Sequence, residues 1–194
     1  KDIRYKDIGY KGIRYKGIGY KGIGYKDIRY KDIGYEGVDN MKIVIIGGVA
    51  AGMSAAAKAK RVAKDAQITV YEKTDIVSFG ACGLPYFVGD FFDNPNMMIA
   101  READKFRETG IEVKTRHEVI SVDPKSKIIT VRNLESEEIF KDNYDKLMIA
   151  TGASAIIPPI ENIELDNVFT LKSMKDGKNL KKAALKSENK NVIV

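Results

Sequence analysis

Cys82 is the only cysteine in this 194-residue chain. It stands in the run Ser78-Phe79-Gly80-Ala81-Cys82-Gly83-Leu84-Pro85-Tyr86. A lone cysteine forms no internal disulfide, so redox work would pair its sulfur with another molecule's sulfur, an oxidant or a bound cofactor. Glycines at 80 and 83 leave room around the sulfur, and Pro85 suits the first turn of a helix. A helix N-terminus favours the thiolate, which is the nucleophilic form. The competing reading is a small buried hydrophobe, and the glycine-flanked setting favours the redox role.

Upstream lies Gly47-Gly48-Val49-Ala50-Ala51-Gly52. It fits the dinucleotide pattern G-x-G-x-x-G only in part, because Val49 holds the place of the second glycine. The first glycine permits a tight turn, and the third lets a helix pack closely on a strand. The helix start then offers unpaired N–H groups and a positive dipole end to phosphates. Glu72 follows twenty residues after Gly52, where a carboxylate can accept hydrogen bonds from ribose hydroxyls. Lys58 and Arg61 read as a solvated helix face or, on a helix that starts at this loop, as contacts to an anionic substrate. His117, the only histidine, reads as surface or structural. No metal cluster, Ser/His/Asp set or pair of catalytic carboxylates stands out.

The order of elements supports a nucleotide site. Lys42 to Ile46 is a short β-branched run, as in a buried parallel strand. Ala50 to Lys64 is alanine-rich and helical, and Gln67 to Tyr71 is a second strand. Arg101 to Thr109 predicts a helix ending at Gly110. Strands are expected at 111–115, 118–122 and 128–132, the last two joined by a turn at 123–127. Further strands are expected at 146–150 and 168–171, a basic helix over 175–186, and another strand beginning at 191.

Residues 1–35 are seven pentapeptides of the form Lys-(Asp/Gly)-Ile-(Arg/Gly)-Tyr. A period of five matches neither helix nor strand, and recurring glycine weakens any regular element. Residues 1–40 are therefore expected to be a disordered low-complexity tail. This tail holds 10 Lys+Arg and 6 Asp+Glu, so it supplies +4 of the net +6. The high pI thus says little about residues 41–194, and interspersed aspartates argue against nucleic-acid binding. A near-perfect repeat just before Met41 fits translated repetitive DNA ahead of a start at Met41. The sequence shows no apolar run long enough to span a membrane and no signal peptide. A single thiol without a disulfide framework points to the cytoplasm.

Taken together, KIVIIGGVAAGMSAA (42–56), Tyr71-Glu72-Lys73, SFGACGLPY (78–86), HEVISVD (117–123) and YDKLMIATGAS (144–154) resemble the FAD-dependent pyridine nucleotide–disulfide oxidoreductases. The similarity is greatest to their single-cysteine branch, the coenzyme A-disulfide reductases with NADH oxidases and peroxidases as relatives. The resemblance implies an α/β, Rossmann-like FAD-binding domain over 41–190, a parallel sheet with helices and a small antiparallel β insertion. Residues 191–194 would begin an NAD(P)H-binding domain. It implies that Gly47, Gly48, Val49, Ala50, Ala51 and Gly52 hold the FAD pyrophosphate, with Glu72 at the adenosine ribose and Lys73 also among the cofactor-binding residues. Val119 would meet the adenine side, and Ala150, Thr151 and Gly152 would lie beside the cofactor. Cys82 would face the flavin, and Ser54, Lys58, Arg61 and Ser78 match positions that contact coenzyme A.

The implied activity is NAD(P)H- and FAD-dependent reduction of coenzyme A disulfide or a similar small disulfide through Cys82. The alternatives are a peroxide-reducing or oxidase relative, or a non-catalytic truncated product. Ala81 departs from the asparagine common just before the reductases' cysteine, which weakens the coenzyme A assignment. Family members continue beyond the equivalent of Val194 and act as homodimers. This chain alone is expected not to turn over NAD(P)H efficiently.

Overall fold

The computed structural model describes residues 40–187. The expected tail, Asn40 apart, and the strand expected at 191–194 lie outside the described residues. Strand β1 (Lys42–Ile46), helix α1 (Ala50–Val62) and strand β2 (Gln67–Tyr71) form the anticipated unit. Alanines carry α1 because they lose no side-chain entropy in a helix. The helix ends before Lys64, where Ala63 leaves helical geometry with its N–H donated to Ala59 O. Two five-residue helices follow, α2 (Leu84–Val88) and α3 (Ala103–Arg107), then β3 (Ile111–Lys114). Strands β4 (His117–Asp123), β5 (Ile128–Asn133), β6 (Ile139–Asn143) and β7 (Lys146–Ile149) come next, and α4 (Met174–Lys186) closes the described chain.

The strands form two sheets. β3-β2-β1-β7 is a four-stranded sheet, parallel throughout. β4-β5-β6 is an antiparallel meander, so the expected architecture is present. The chain moves outward on one side of β1 through β2 and β3, then crosses back to place β7 on the other side. The sheet therefore reverses its winding between β1 and β7. In open α/β sheets, ligands occupy the crevice outside the carboxyl ends of the strands at that point.

The central strands β1 and β2 are buried on both faces along most of their length, which explains their unbroken apolar runs. Ile45, Ile68, Val70 and Val113 face α1 and pack with Met53 and Ala56. Val44 and Tyr71 face the other way, against Ile129, Val131 and Tyr144. A third, smaller cluster holds Leu84, Phe87, Met98 and Met174.

Three expectations change. β6 carries only Ile139 and Phe140 as apolar residues, and its place comes from pairing with β5 rather than from its own pattern. The strand expected at 168–171 does not form. Val168, Phe169 and Leu171 are all exposed and have no strand beside them among the described residues, so β-propensity there has no partner to act on. α3 is shorter than 101–109, although Gly110 adopts the left-handed conformation expected after a helix. No described helix is long and apolar enough to cross a membrane.

A polar pair sits between the sheets. The Tyr71 hydroxyl donates to Asp142 Oδ2 at 2.7 Å, and Lys42 forms an ion pair with the same carboxylate. Burial, with Asp142 beside it, keeps the Tyr71 hydroxyl protonated far above the ordinary phenol range. Burial opposes ionisation of Asp142, but hydrogen bonds from Lys42 and Tyr71 outweigh it and hold its pKa below the usual value. A depressed carboxyl stabilises the fold above its unfolded pKa, and that support is lost as pH falls through the folded value. Tyr71→Phe should therefore cost about 1–3 kcal/mol at neutral pH, the range for a hydrogen bond to a charged group. The gap from wild type should narrow in acid, as read by urea unfolding at about pH 7 and about pH 3. A gap that widens in acid would contradict this reading.

Candidate functional site

The β1–α1 turn is built on two close approaches. Gly47 has a φ of +101°, and a Cβ there would lie 2.3 Å from Ala150 O. A Cβ on Gly52 would lie 1.8 Å from Gly47 O, so only glycine lets α1 begin this near β1. Gly47 N–H donates to Tyr71 O at 2.8 Å, and Ala150 N–H donates to Ile46 O at 2.7 Å. The turn thus lies at the carboxyl ends of β1 and β7, where the sheet reverses its winding. No side chain caps α1, and its first turn holds no acidic residue. Its N-terminal amides and positive dipole end are open to an anion.

Glu72, directly after β2, is buried. Its Oε2 accepts from Gly48 N–H at 2.6 Å. Its Oε1 accepts from Thr74 N–H at 2.9 Å and Thr74 Oγ1 at 2.8 Å. These three donors satisfy a carboxylate that burial would otherwise penalise. Each oxygen retains further acceptor capacity for a sugar hydroxyl. Thr74 was not anticipated, although a threonine two residues beyond a carboxylate is a recognisable partner for it.

The cysteine segment is tied to the same turn. Ser78, with a φ of 52°, donates its N–H to Gly48 O at 2.9 Å and accepts from Ala100 N–H at 2.8 Å. Gly80 N–H donates to Met98 O at 2.7 Å. Cys82 is exposed, so the buried-hydrophobe reading is excluded. It lies in a 3-10 turn, Ala81–Gly83, one step before α2 rather than within the helix, with Pro85 in the first helical turn as expected.

The structure brings Gly47, Gly48, Gly52, Glu72, Ser78, Ala150 and Thr151 together. Val49, Ala50 and Ala51 form the turn and the helix start. Ser54, Lys58 and Arg61 are exposed on α1, and their spacing of four and three residues puts them on one face. Lys73 is exposed, and Gly152 is exposed with a φ of +72°. Val119 is half-buried in β4 at a register shift against β5, joined to Glu72 through His117 N–H donated to Glu72 O at 3.0 Å. The His117 ring is structural, with Nδ1 2.7 Å from Thr115 O and its plane beside Tyr71 and Phe140.

Cys82 is exposed, whereas Gly48 and Gly52 of the glycine turn are buried. They are outside a cavity of about 540 Å³ near Tyr71, Glu112 and Asp142, and outside another of about 590 Å³ between Lys73, Arg116 and the start of α4. Among the described residues, no group of His, Cys, Asp and Glu could hold a metal ion.

A family described as pyridine nucleotide-disulphide oxidoreductase matches residues 41–194, and that family is FAD-dependent. The coenzyme A disulfide reductase of Staphylococcus haemolyticus is 39% identical over 136 residues, covering 70% of this chain and 30% of that protein. The chain thus spans under a third of the length of the curated relatives it matches. Among solved structures, reduced Bacillus anthracis CoADR-RHD aligns with a TM-score of 0.72 at 29% identity, over 76% of this chain and 27% of the other. The water-forming NADH oxidase from Lactobacillus brevis gives 0.72 at 29% identity, over 76% and 33%. The NAD-dependent persulfide reductase from A. fulgidus gives 0.70 at 37%, over 73% and 26%. The glycine turn, the uncapped helix start and the hydrogen-bonded Glu72 fit the dinucleotide that such a family requires.

Gly52→Ala forces the added methyl into the Gly47 carbonyl. It should lower stability by at least about 2 kcal/mol, as overpacking against backbone does, when followed by denaturant unfolding. A loss within about 0.5 kcal/mol, ordinary for a surface change, would show that α1 does not need this approach.

Proposed function

Because the chain belongs to the pyridine nucleotide-disulphide oxidoreductase family, we propose that it is the FAD-binding part of an NAD(P)H-dependent enzyme that reduces a small disulfide through Cys82. The observation that carries this reading is the glycine turn at the winding reversal, tied to the cysteine segment by the Ser78–Gly48 hydrogen bond. The turn Gly47 to Gly52 would hold the pyrophosphate, with Gly47 and Gly48 shaping it and the amides from Val49 to Gly52 facing the phosphates, and Glu72 would accept from the adenosine ribose. Lys73, Val119 and Ala150 to Gly152 would flank the bound group. FAD supplies the two-electron carrier between NAD(P)H and sulfur.

The protein's own part is to present one thiolate. Cys82 attacks a sulfur of the disulfide R–S–S–R, forming a Cys82–S–S–R bond and releasing R–S⁻. Two electrons originating in NAD(P)H then cleave that bond, returning Cys82 thiolate and the second R–S⁻. The exposed face of Ser54, Lys58 and Arg61 suits an anionic thiol compound such as coenzyme A. The staphylococcal relatives, coenzyme A disulfide reductases by name, support that choice. Ala81 favours keeping related disulfides in the test, and likeness to the NADH oxidase makes peroxide or oxygen the second acceptor to try. A homodimer partner would complete the site.

The test is a visible absorption spectrum after FAD is added and excess removed. Wild type should retain a flavin band that changes when Cys82 is alkylated. Cys82→Ser should retain the band and show no change with the alkylating agent. A colourless protein, or a band indifferent to Cys82, would overturn the reading.

A further inference from the structure

The buried stripe of α4 is Met174, Gly177 and Lys181, spaced at i, i+3 and i+7. A lysine thus stands where an apolar residue would complete the stripe. Lys181 is only 9% exposed. Its Nζ lies 2.7 Å from Asp90 Oδ1 and 3.3 Å from Asp93 Oδ1. It also donates to Phe92 O at 3.2 Å and sits 4.6 Å over the Phe87 ring. All four groups belong to α2 or the loop that follows it, the segment that Cys82 leads into. The hydrogen bond and charge of Asp90 hold the Lys181 ammonium above its usual pKa.

α2 has five residues, too few to persist alone in water. Its support is the cluster of Leu84, Phe87, Met98 and Met174, and Gly177 lets α4 approach to the Leu84 side chain. α4 is therefore the wall against which α2, the helix that follows the cysteine turn, is set. We infer that Lys181 is a positioning residue for Cys82, clipping α4 to α2 and its loop so that the turn Ala81–Gly83 holds the sulfur in one place. The inference rests on Cys82 being the reacting sulfur. Its test reads the thiol directly, whether or not flavin binds.

The measurement is the rate of Cys82 alkylation by iodoacetamide across a pH series, on the full chain, well below the melting temperature of each variant. Lys181→Met keeps the side chain's length and removes its charge. It should change the rate by roughly three- to tenfold and move the pH midpoint, because releasing α2 shifts the turn and so alters the surroundings on which thiol reactivity depends. Lys181→Arg should restore most of the wild-type profile. Asp90→Asn with Asp93→Asn cuts the same clip from the other side and should act in the same direction, which covers a Lys181→Met that fails to fold. Ile129→Val, in the core between the sheets, is the control for general destabilisation and should leave the profile alone. An unchanged profile in Lys181→Met or the double variant, or an equal change in Ile129→Val, overturns the inference. Absence of flavin binding, with the Lys181→Met profile still altered and restored in Lys181→Arg, would sink the proposed function and leave this inference standing.

Discussion

The contact of Gly52 with the Gly47 carbonyl is the constraint on which the rest of the structure depends. A helix packed this near its preceding strand leaves no room for a Cβ. It therefore fixes where α1 starts and where its open amides point. The same turn accepts Ser78 N–H at Gly48 O and donates Gly48 N–H to Glu72. Three separate stretches of chain are thereby gathered at the carboxyl edge of β1. The arrangement is made of backbone groups, so side-chain variation at Val49, Ala50 or Ala51 leaves it intact. That explains how the turn keeps its geometry although Val49 replaces the second glycine of the usual pattern.

Three polar groups inside the domain, Glu72, Asp142 and Lys181, are each wholly or partly buried with partners. Glu72 has three donors and no cation, while Asp142 has Tyr71 and Lys42. Lys181 has two carboxylates, a carbonyl and an aromatic face. An unpaired carboxylate at Glu72 or Asp142 would cost about 1–3 kcal/mol, a large share of the stability of a domain this size. Each pairing also joins elements far apart in sequence. The polar network therefore specifies how the sheets and helices meet, while the apolar clusters supply the bulk of the burial.

The sequence made the strand–turn–helix–strand unit legible, because β-branched runs and glycines carry local signals that burial on both faces reinforces. It also exposed the candidate glycines, Glu72 and Cys82, whose chemistry is plain from residue type and spacing. β6 was hidden because Lys141, Asp142 and Asn143 look like a loop, and only pairing with β5 makes them a strand. Residues 168–171 gave the opposite error, a strand-like composition with nothing to pair against. Thr74 and Lys181 escaped notice for a related reason. Their roles depend on which side chains the tertiary fold brings beside them, and no local pattern encodes that.

Amide hydrogen exchange with and without FAD decides whether the turn at Gly47 to Gly52, with Glu72, cradles a flavin dinucleotide. A flavin seated there should slow exchange in peptides covering 47–53, 72–74 and 150–152, with no change over 137–143. Unchanged exchange at the glycine turn, or slowing confined to the cavity near Tyr71, Glu112 and Asp142, would contradict that placement.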